Sequence, residues 1–260
     1  MSDAIKGRGS AGNPPNRFEL VRYEPFEDGS DDARSAPATT LLRDTSRSII
    51  TTNDSPDVGF SASINPYRGC EHGCIYCYAR PTHEYLGFSA GLDFETKIMV
   101  KENAPALLRK ELASRKWVPQ PLGVCGVTDA YQPIERRLQL TRRCLEVLAE
   151  FRNPAWVVTK NRLITRDLDI LRQMNEHHAI GAAISVTTLD ADLAHVMEPR
   201  ASTPEARLEA VRELSSAGIP VIVLVAPTIP GLTDHEMPAI LTAAREAGAV
   251  AAGYVIVRLP

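Results

Sequence analysis

The sequence has 260 residues, of which 44% are apolar, and its 29 basic and 32 acidic residues give a net charge of −3. This length and composition are sufficient for a buried core, and the charge excludes a globally basic, polyanion-binding protein. There is no run of about 18 apolar residues and no apolar leader segment, so we expect a cytoplasmic protein without a membrane span.

The first part of the chain differs in composition from the rest. Residues 1–56 are rich in Gly, Pro, Ser, Asp and Arg, and they show no sustained helical or strand periodicity. Such a segment is typical of irregular structure. We therefore predict an irregular N-terminal extension over residues 1–56, followed by a core domain over residues 57–260.

Short apolar segments alternate with amphipathic segments through the core domain. The amphipathic segments include two with the spacing of one helix face, over residues 140–151 and 164–174. A third helix is predicted after the N-cap Thr203, ending before Gly218, and a fourth after the capping box Thr233–Glu236. The six predicted strands are residues 60–65, 121–127, 155–160, 179–186, 220–227 and 251–259.

Strands of this kind, alternating with helices, indicate an α/β fold with a parallel sheet. The first strand is not followed by a Gly-rich dinucleotide turn, which argues against a classical Rossmann fold. Polar residues follow every strand, and right-handed crossovers place all those ends on one rim, as in an α/β barrel. The sequence predicts a partial (β/α)6 TIM-like barrel. Because Pro260 follows the sixth strand directly, we expect the natural protein to continue with a segment that covers this edge.

Three of the five cysteines lie within eight residues. They have the spacing Cys70-x-x-x-Cys74-x-x-Cys77, and Gly69 and Gly73 allow the backbone to fold tightly around them. Three thiolates on one short loop can reach one metal centre.

Two kinds of metal centre are compatible with this loop. A structural zinc site needs a fourth ligand, which His72 or His83 could supply. A cubane iron–sulfur cluster usually takes four cysteines, so three would leave one iron open to a substrate or cofactor. The residues alone leave open a catalytic cluster, a non-catalytic electron-transfer protein and a zinc-stabilised binding module.

The motif, with Tyr76 directly before its last cysteine, resembles that of the radical S-adenosylmethionine superfamily. The strings INPYRGCEHGCIYCYARPTHEYLG, TDAYQPIE and APTIPGLTD are similar to its spore photoproduct lyase-related branch, over roughly residues 56–260. The resemblance implies a [4Fe–4S] cluster on Cys70, Cys74 and Cys77, with S-adenosylmethionine chelated to the fourth iron. It implies reductive cleavage to a 5′-deoxyadenosyl radical that abstracts hydrogen from a substrate, with a reductant such as flavodoxin or ferredoxin.

The resemblance also assigns residues to the S-adenosylmethionine site. Tyr76 would lie against the adenine, and Thr128 and Asp129 would replace the Gly-Gly-Glu segment that often binds the methionine amino group. Contacts to the ribose, the carboxylate and the adenine would come from the loops after the fourth and fifth strands, with Ser185, Thr187, Pro227, Ile229 and Gly231.

Two further residues are candidates for a catalytic role. Cys125 shares a strand face with Asp129 and is a candidate hydrogen-atom donor, and Lys160 at the third strand end could neutralise a carboxylate or phosphate. Residues 133–172 carry nine basic and five acidic side chains. Together with the branch resemblance, this charge makes a nucleic acid one candidate substrate of a lyase-like reaction.

Overall fold

The computed structural model describes residues 5–18, 37–52, 60–124 and 126–258. Its helices are α1 (Leu92–Thr96), α2 (Ala104–Leu112), α3 (Glu135–Leu138), α4 (Leu140–Phe151), α5 (Leu168–Asn175), α6 (Ala191–Met197), α7 (Pro204–Ser216) and α8 (Met237–Glu246), with 3₁₀ turns over Arg80–Leu86, Arg162–Asp167 and Asp234–Glu236. Its strands are β1 (Thr40–Arg43), β2 (Ile50–Thr52), β3 (Ala62–Ile64), β4 (Tyr67–Arg68), β5 (Lys97–Val100), β6 (Leu122–Val124), β7 (Ala155–Thr159), β8 (Ile180–Ser185), β9 (Val221–Thr228) and β10 (Ala251–Ile256).

The main sheet contains seven strands in the order β10-β9-β8-β7-β6-β3-β2. The six from β3 to β10 are parallel, and β2 joins the edge antiparallel to β3. Each of these parallel strands lies beside the parallel strand that precedes it in the chain. The strand order therefore has no reversal point like that of a doubly wound sheet. This winding confirms the predicted partial (β/α)6 TIM-like fold, and all six carboxyl ends lie on one rim.

A second, smaller sheet is formed by strands that precede and follow the cysteines in the chain. It has the order β1-β5-β4, with β1 parallel and β4 antiparallel to β5. Both β1 and β2 fall inside residues 1–56, so part of the segment predicted to be irregular forms strands. The domain boundary near residue 56 stays a prediction.

The hydrophobic core fills the space between the main sheet and the helices on it. Every residue of β8, an interior strand of the sheet, is buried. The apolar face of α4 supplies Cys144, Val147 and Leu148, all buried, as its spacing predicted. At one edge of the sheet, Tyr254 of β10 is largely exposed. None of the helices in these described ranges has the length and apolarity that a bilayer crossing requires.

Two predicted helix starts have different outcomes. The N-cap at Thr203 is confirmed, since its hydroxyl accepts a hydrogen bond from the amide of Ala206 at 3.3 Å. The capping box at Thr233–Glu236 is wrong. The Thr233 hydroxyl accepts from the amide of Ile229 instead, and these residues form a 3₁₀ turn before α8.

Candidate functional site

The cysteine loop, residues 69–80, follows β4 and lies against α1. Gly69 and Gly73 have φ angles of +83° and +70°. A Cβ at Gly69 would stand 2.9 Å from the Phe94 carbonyl oxygen, and one at Gly73 would stand 2.9 Å from Glu95 Oε2. Any larger residue would strain the backbone and collide with its neighbours, so these glycines set the tight path of the loop as the sequence predicted.

The loop is fixed from behind by backbone and side-chain hydrogen bonds. The Cys70 amide donates to the Phe94 carbonyl at 2.9 Å. Arg80 is buried and donates to the Cys74 carbonyl from Nε at 3.1 Å and from Nη2 at 2.9 Å. The same guanidinium bonds to Glu95 Oε1 at 2.6 Å. The Cys74 carbonyl is therefore held by Arg80, whose own partner Glu95 is buried.

The three thiols are close enough to influence one another electrostatically. Burial and the charge of Glu198 raise the pKa of Cys74 well above its usual range. Burial and the charge of Cys70 raise the pKa of Cys77 to about 11. Three thiolates would repel one another here, so the site is suited to a positively charged group bound among them. Iron atoms of a cluster fit that requirement.

A cubane cluster and a single zinc ion use the same thiols differently. Zinc needs its sulfur ligands about 2.3 Å from one centre, whereas a cubane cluster binds each thiolate through a different iron. Three thiols on one loop can therefore hold three irons of such a cluster.

Asp129, predicted to contact the cofactor, is bonded within the protein. Its Oδ2 lies 3.3 Å from His72 Nδ1 and accepts from the Lys160 amide at 2.8 Å. Its Oδ1 accepts from the Thr159 hydroxyl at 2.6 Å and the Tyr131 amide at 2.8 Å. Burial alone would lower the pKa of His72, but the charges of Asp129 and of the neighbouring Cys70 raise it to about 10. Asp129 thus joins the cysteine loop to the ends of β6 and β7.

Tyr76 is buried beneath the rim, where its hydroxyl bonds to Glu198 and lies 3.4 Å from the Thr187 hydroxyl. The Thr187 hydroxyl also donates to Glu198 Oε1 at 2.8 Å. The other oxygen of Glu198 pairs with Arg207, which is itself completely buried. Although burial raises the pKa of Glu198, the charges of Arg207 and Lys160 hold it well below its usual range.

Lys160 reaches the same place from the end of β7. Its Nζ donates to the Ala226 carbonyl at 3.0 Å, lies 3.4 Å from Glu198 Oε1 and stands 5.8 Å from the centre of the Tyr76 ring. The carboxyl ends of β7, β8 and β9 thus converge beside Tyr76, where Lys160 places a positive charge.

The remaining predicted site residues are more dispersed. The hydroxyl of Thr128 donates to the Tyr67 carbonyl at 3.2 Å, and the buried Ser185 uses its carbonyl to accept from Arg207. Pro227 follows Ala226, the acceptor of Lys160. Ile229 and Gly231 hydrogen-bond within their own loop, and Cys125 lies outside the described residues.

The sequence did not identify several residues that build the site. Glu198, directly after α6, and Arg207, in α7, lie far along the chain from Tyr76, and no sequence pattern singled them out. Arg80 and Glu95 are a buried ion pair behind the loop. For Gln132, in the string TDAYQPIE, the only signal was the resemblance of that string as a whole.

Comparison with known proteins identifies the family. The model of the radical SAM superfamily matches residues 64–244, so the chain belongs to that superfamily. An uncharacterized protein of Mycobacterium tuberculosis is 39% identical over 175 residues, covering 67% of this chain and 52% of the relative. An uncharacterized protein of Methanocaldococcus jannaschii is 30% identical over 173 residues, covering 66% of this chain and 62% of the relative. The chain spans about half the length of the first of these relatives.

Solved structures show the same fold. A spore photoproduct lyase mutant with bound AdoMet and dinucleoside spore photoproduct matches with a TM-score of 0.62 and 19% identity, covering 93% of this chain and 68% of that chain. Another spore photoproduct lyase mutant gives a TM-score of 0.60 with 21% identity, covering 88% and 63%. At this identity the likeness establishes the fold alone.

Proposed function

We propose that this protein is a radical S-adenosylmethionine enzyme in which Cys70, Cys74 and Cys77 hold a [4Fe–4S] cluster. The observation that carries the proposal is the gathering of the three thiols on one tightly folded loop beside the rim of a partial barrel. Membership of the superfamily supports it. When bound, the cluster and S-adenosylmethionine supply a 5′-deoxyadenosyl radical that abstracts hydrogen from a substrate.

The chain's own groups bind and orient the cofactor. Lys160 offers an ammonium group to a carboxylate at the point where the ends of β7 and β9 meet. Tyr76 offers a ring whose orientation Glu198 and Thr187 fix through the hydroxyl. Thr128 and Asp129 line the proposed S-adenosylmethionine site on the side of β6. The other residues proposed to line it are Ser185, Pro227, Ile229 and Gly231. Holding the reacting groups in fixed geometry and away from water is the protein's part in such chemistry.

A nucleic-acid lesion remains the proposed substrate class, with a lyase-like reaction in the cytoplasm. The support is the fold shared with spore photoproduct lyase, one structure of which holds a dinucleoside spore photoproduct. The basic stretch 133–172 supports a nucleic-acid substrate less strongly than its charge indicated. Arg142 is paired with Asp167 and Asp169, and Arg166 with Glu135, so these arginines are engaged within the protein.

The partners of His72 argue against this residue as the fourth ligand of a zinc site, whereas Nδ1 of His83 is buried without a hydrogen-bond partner among the described residues and leaves that ligand open. One ring nitrogen of His72 faces Asp129, and the other lies 3.2 Å from the Asn161 side-chain nitrogen. A zinc ligand needs one of these nitrogens free for the metal.

Anaerobic reconstitution tests the proposal in two steps. We expect about four iron and four sulfide per chain in the parent, and loss of both when Cys70, Cys74 or Cys77 is replaced by Ala. Cys144→Ala is the matched control, because this thiol is buried in α4 away from the loop. With a strong one-electron reductant, the parent should then produce 5′-deoxyadenosine from S-adenosylmethionine.

The outcomes separate the alternatives. Zinc without iron would support the binding module. A four-iron protein that neither binds S-adenosylmethionine nor forms 5′-deoxyadenosine would support the electron carrier and contradict the proposal.

A further inference from the structure

The N-terminal strap, residues 5–18, lies across the back of the cysteine loop. The Gly9 amide donates to Glu95 Oε2 at 3.1 Å. A Cβ at Gly9 would stand 1.7 Å from the Gly73 carbonyl oxygen and 3.1 Å from Ile75 Cγ2. The strap therefore packs backbone against backbone on the segment between the first two cysteines of the motif, at a distance that only glycine permits.

The strap completes the hydrogen bonding of a buried carboxylate. Glu95 is completely buried. Its Oε1 bonds to Arg80 and its Oε2 accepts from the Gly9 amide. Arg80 in turn donates two hydrogen bonds to the Cys74 carbonyl. Removing the strap would leave Glu95 Oε2 without this donor, and a buried charge with an unsatisfied oxygen is strongly unfavourable. The position of Cys74 is thus linked to Gly9 through Glu95 and Arg80.

Further contacts secure the strap on both sides of Gly9. Arg8 donates to the Glu95 carbonyl at 2.9 Å and to the Pro37 carbonyl at 2.7 Å. Asn13 exchanges two hydrogen bonds with Asp93, its Nδ2 donating to Oδ1 at 3.0 Å and its Oδ1 accepting from the amide at 2.8 Å. These contacts attach the strap to α1, whose residues also hold the Cys70 amide. One element therefore touches the supports of both Cys70 and Cys74.

We infer that the N-terminal strap is a clamp that holds the cysteine loop in its cluster-binding conformation, with Gly9 as the positioning residue. The strap lies outside residues 64–244, which match the superfamily. The inference rests on the proposed function for the identity of the bound group, but the clamp itself is a property of the cluster-free protein and is measurable there.

Two glycines of the strap provide a matched pair of variants. Gly9→Ala places a methyl group against the Gly73 carbonyl and must lift the strap, whereas a Cβ at Gly12 meets nothing within 4 Å. The measurement is hydrogen–deuterium exchange of the cluster-free full chain. We expect Gly9→Ala to accelerate exchange of peptides spanning residues 69–80 by roughly tenfold, the consequence of losing one or two buried hydrogen bonds. Gly12→Ala should exchange like the parent.

Reconstitution gives the second readout. Gly9→Ala should retain less iron than Gly12→Ala, and the electron paramagnetic resonance spectrum of its reduced cluster should differ from that of the parent. A general loss of stability would not by itself change the spectrum of the cluster that remains. Parent-like exchange at residues 69–80 together with a parent-like spectrum in Gly9→Ala would overturn the inference.

A second variant covers the case in which Gly9→Ala loses its fold, seen as faster exchange in β8. Arg8→Gln removes the hydrogen bonds of Arg8 without adding atoms to the contact with Gly73. It should accelerate exchange at residues 69–80 and leave β8 unchanged, and unchanged exchange at both would contradict the clamp. If the parent binds no cluster, the proposed function fails, while the exchange comparison still decides whether the strap holds the loop.

Discussion

The side chain of Gln132 holds both peptide groups of Cys70. Its Nε2 donates to the Gly69 carbonyl at 3.1 Å, and its Oε1 accepts from the Glu71 amide at 3.0 Å. Gln132 is completely buried and lies in the segment after β6 that also carries Asp129. The side-chain amide of Gln132 therefore joins the first cysteine of the motif to the rim of the barrel and fixes the direction of the Cys70 peptide groups.

Replacing Gln132 with Ala should destabilise the cysteine loop. The change leaves a buried carbonyl and a buried amide without partners, at a cost of about 2–4 kcal/mol in the free energy of unfolding. We expect a lower midpoint in chemical denaturation of the cluster-free protein and reduced iron content after reconstitution. Gln173→Ala, on the exposed face of α5, is the control. Iron content equal to that of the control would show that Gln132 does not hold the loop.

The sequence was sufficient for features that depend on local pattern. The six apolar segments and the face of α4 follow from periodicity, because burial on a sheet or helix imposes a repeat that the sequence carries. The thiols of Cys70, Cys74 and Cys77 share one loop, so their proximity follows from their spacing alone.

Features that depend on distant contacts could not be predicted in this way. Arg207 is a charged residue of α7 that would be expected on the surface, yet it is buried against Glu198, which directly follows α6. The prediction of a capping box at Thr233–Glu236 was wrong for a similar reason. Glu236 had a stronger partner than its own helix, since its carboxylate accepts from the Thr188 hydroxyl at 2.5 Å and the Leu189 amide at 2.7 Å.

That interaction of Glu236 gives a prediction of its own. Glu236→Ala should release the loop after β8, because it removes two hydrogen bonds to a charged acceptor, at a cost of about 1.5–3 kcal/mol each. Hydrogen exchange of the Leu189 amide should increase, while the amides of α8 beyond its first turn keep their protection. Thr233→Val removes the hydroxyl that the Ile229 amide uses and should leave Leu189 unchanged. Fraying of α8 in both variants, without change at Leu189, would restore the capping interpretation.

The buried pair Glu198–Arg207 should make stability depend on pH. Glu198→Gln leaves Arg207 buried opposite a neutral group, which should cost about 3–5 kcal/mol at neutral pH. Because Arg207 and Lys160 depress the pKa of Glu198 below its ordinary 4.5 despite burial, the carboxylate stabilises the fold fully above that pH. The contribution is lost as the pH falls below 4.5 toward the pKa in the folded state.

Urea denaturation of the cluster-free parent and Glu198→Gln over an acid pH series measures this effect. The difference in the free energy of unfolding should be constant above pH 4.5 and should shrink below it. Glu150→Gln is the control, since Glu150 and Arg109 form an exposed pair that contributes little. A difference between parent and Glu198→Gln that does not change with pH would mean that Glu198 is not charged in the folded protein.

Lys160 should bind the carboxylate of S-adenosylmethionine. Its ammonium group lies at the junction of β7 and β9, and the Ala226 carbonyl and Glu198 already orient it. Lys160→Met keeps the length of the side chain but removes the charge. We expect about a tenfold weaker affinity for S-adenosylmethionine, the effect of losing one hydrogen bond to a charged group, with unchanged iron content. Lys116→Met is the control, because Lys116 is exposed on the surface before β6.

A second ligand separates this role from a general disturbance of the site. The fragment 5′-deoxyadenosine has no carboxylate, so its affinity should be the same in the parent and in Lys160→Met. Equilibrium dialysis of the reconstituted proteins under anaerobic conditions measures both affinities. If the variant loses affinity for the two ligands equally, Lys160 acts by holding Glu198 and Tyr76 in place, and the carboxylate contact is wrong. If it loses affinity only for S-adenosylmethionine, the positive charge at the end of β7 faces the methionine part of the cofactor.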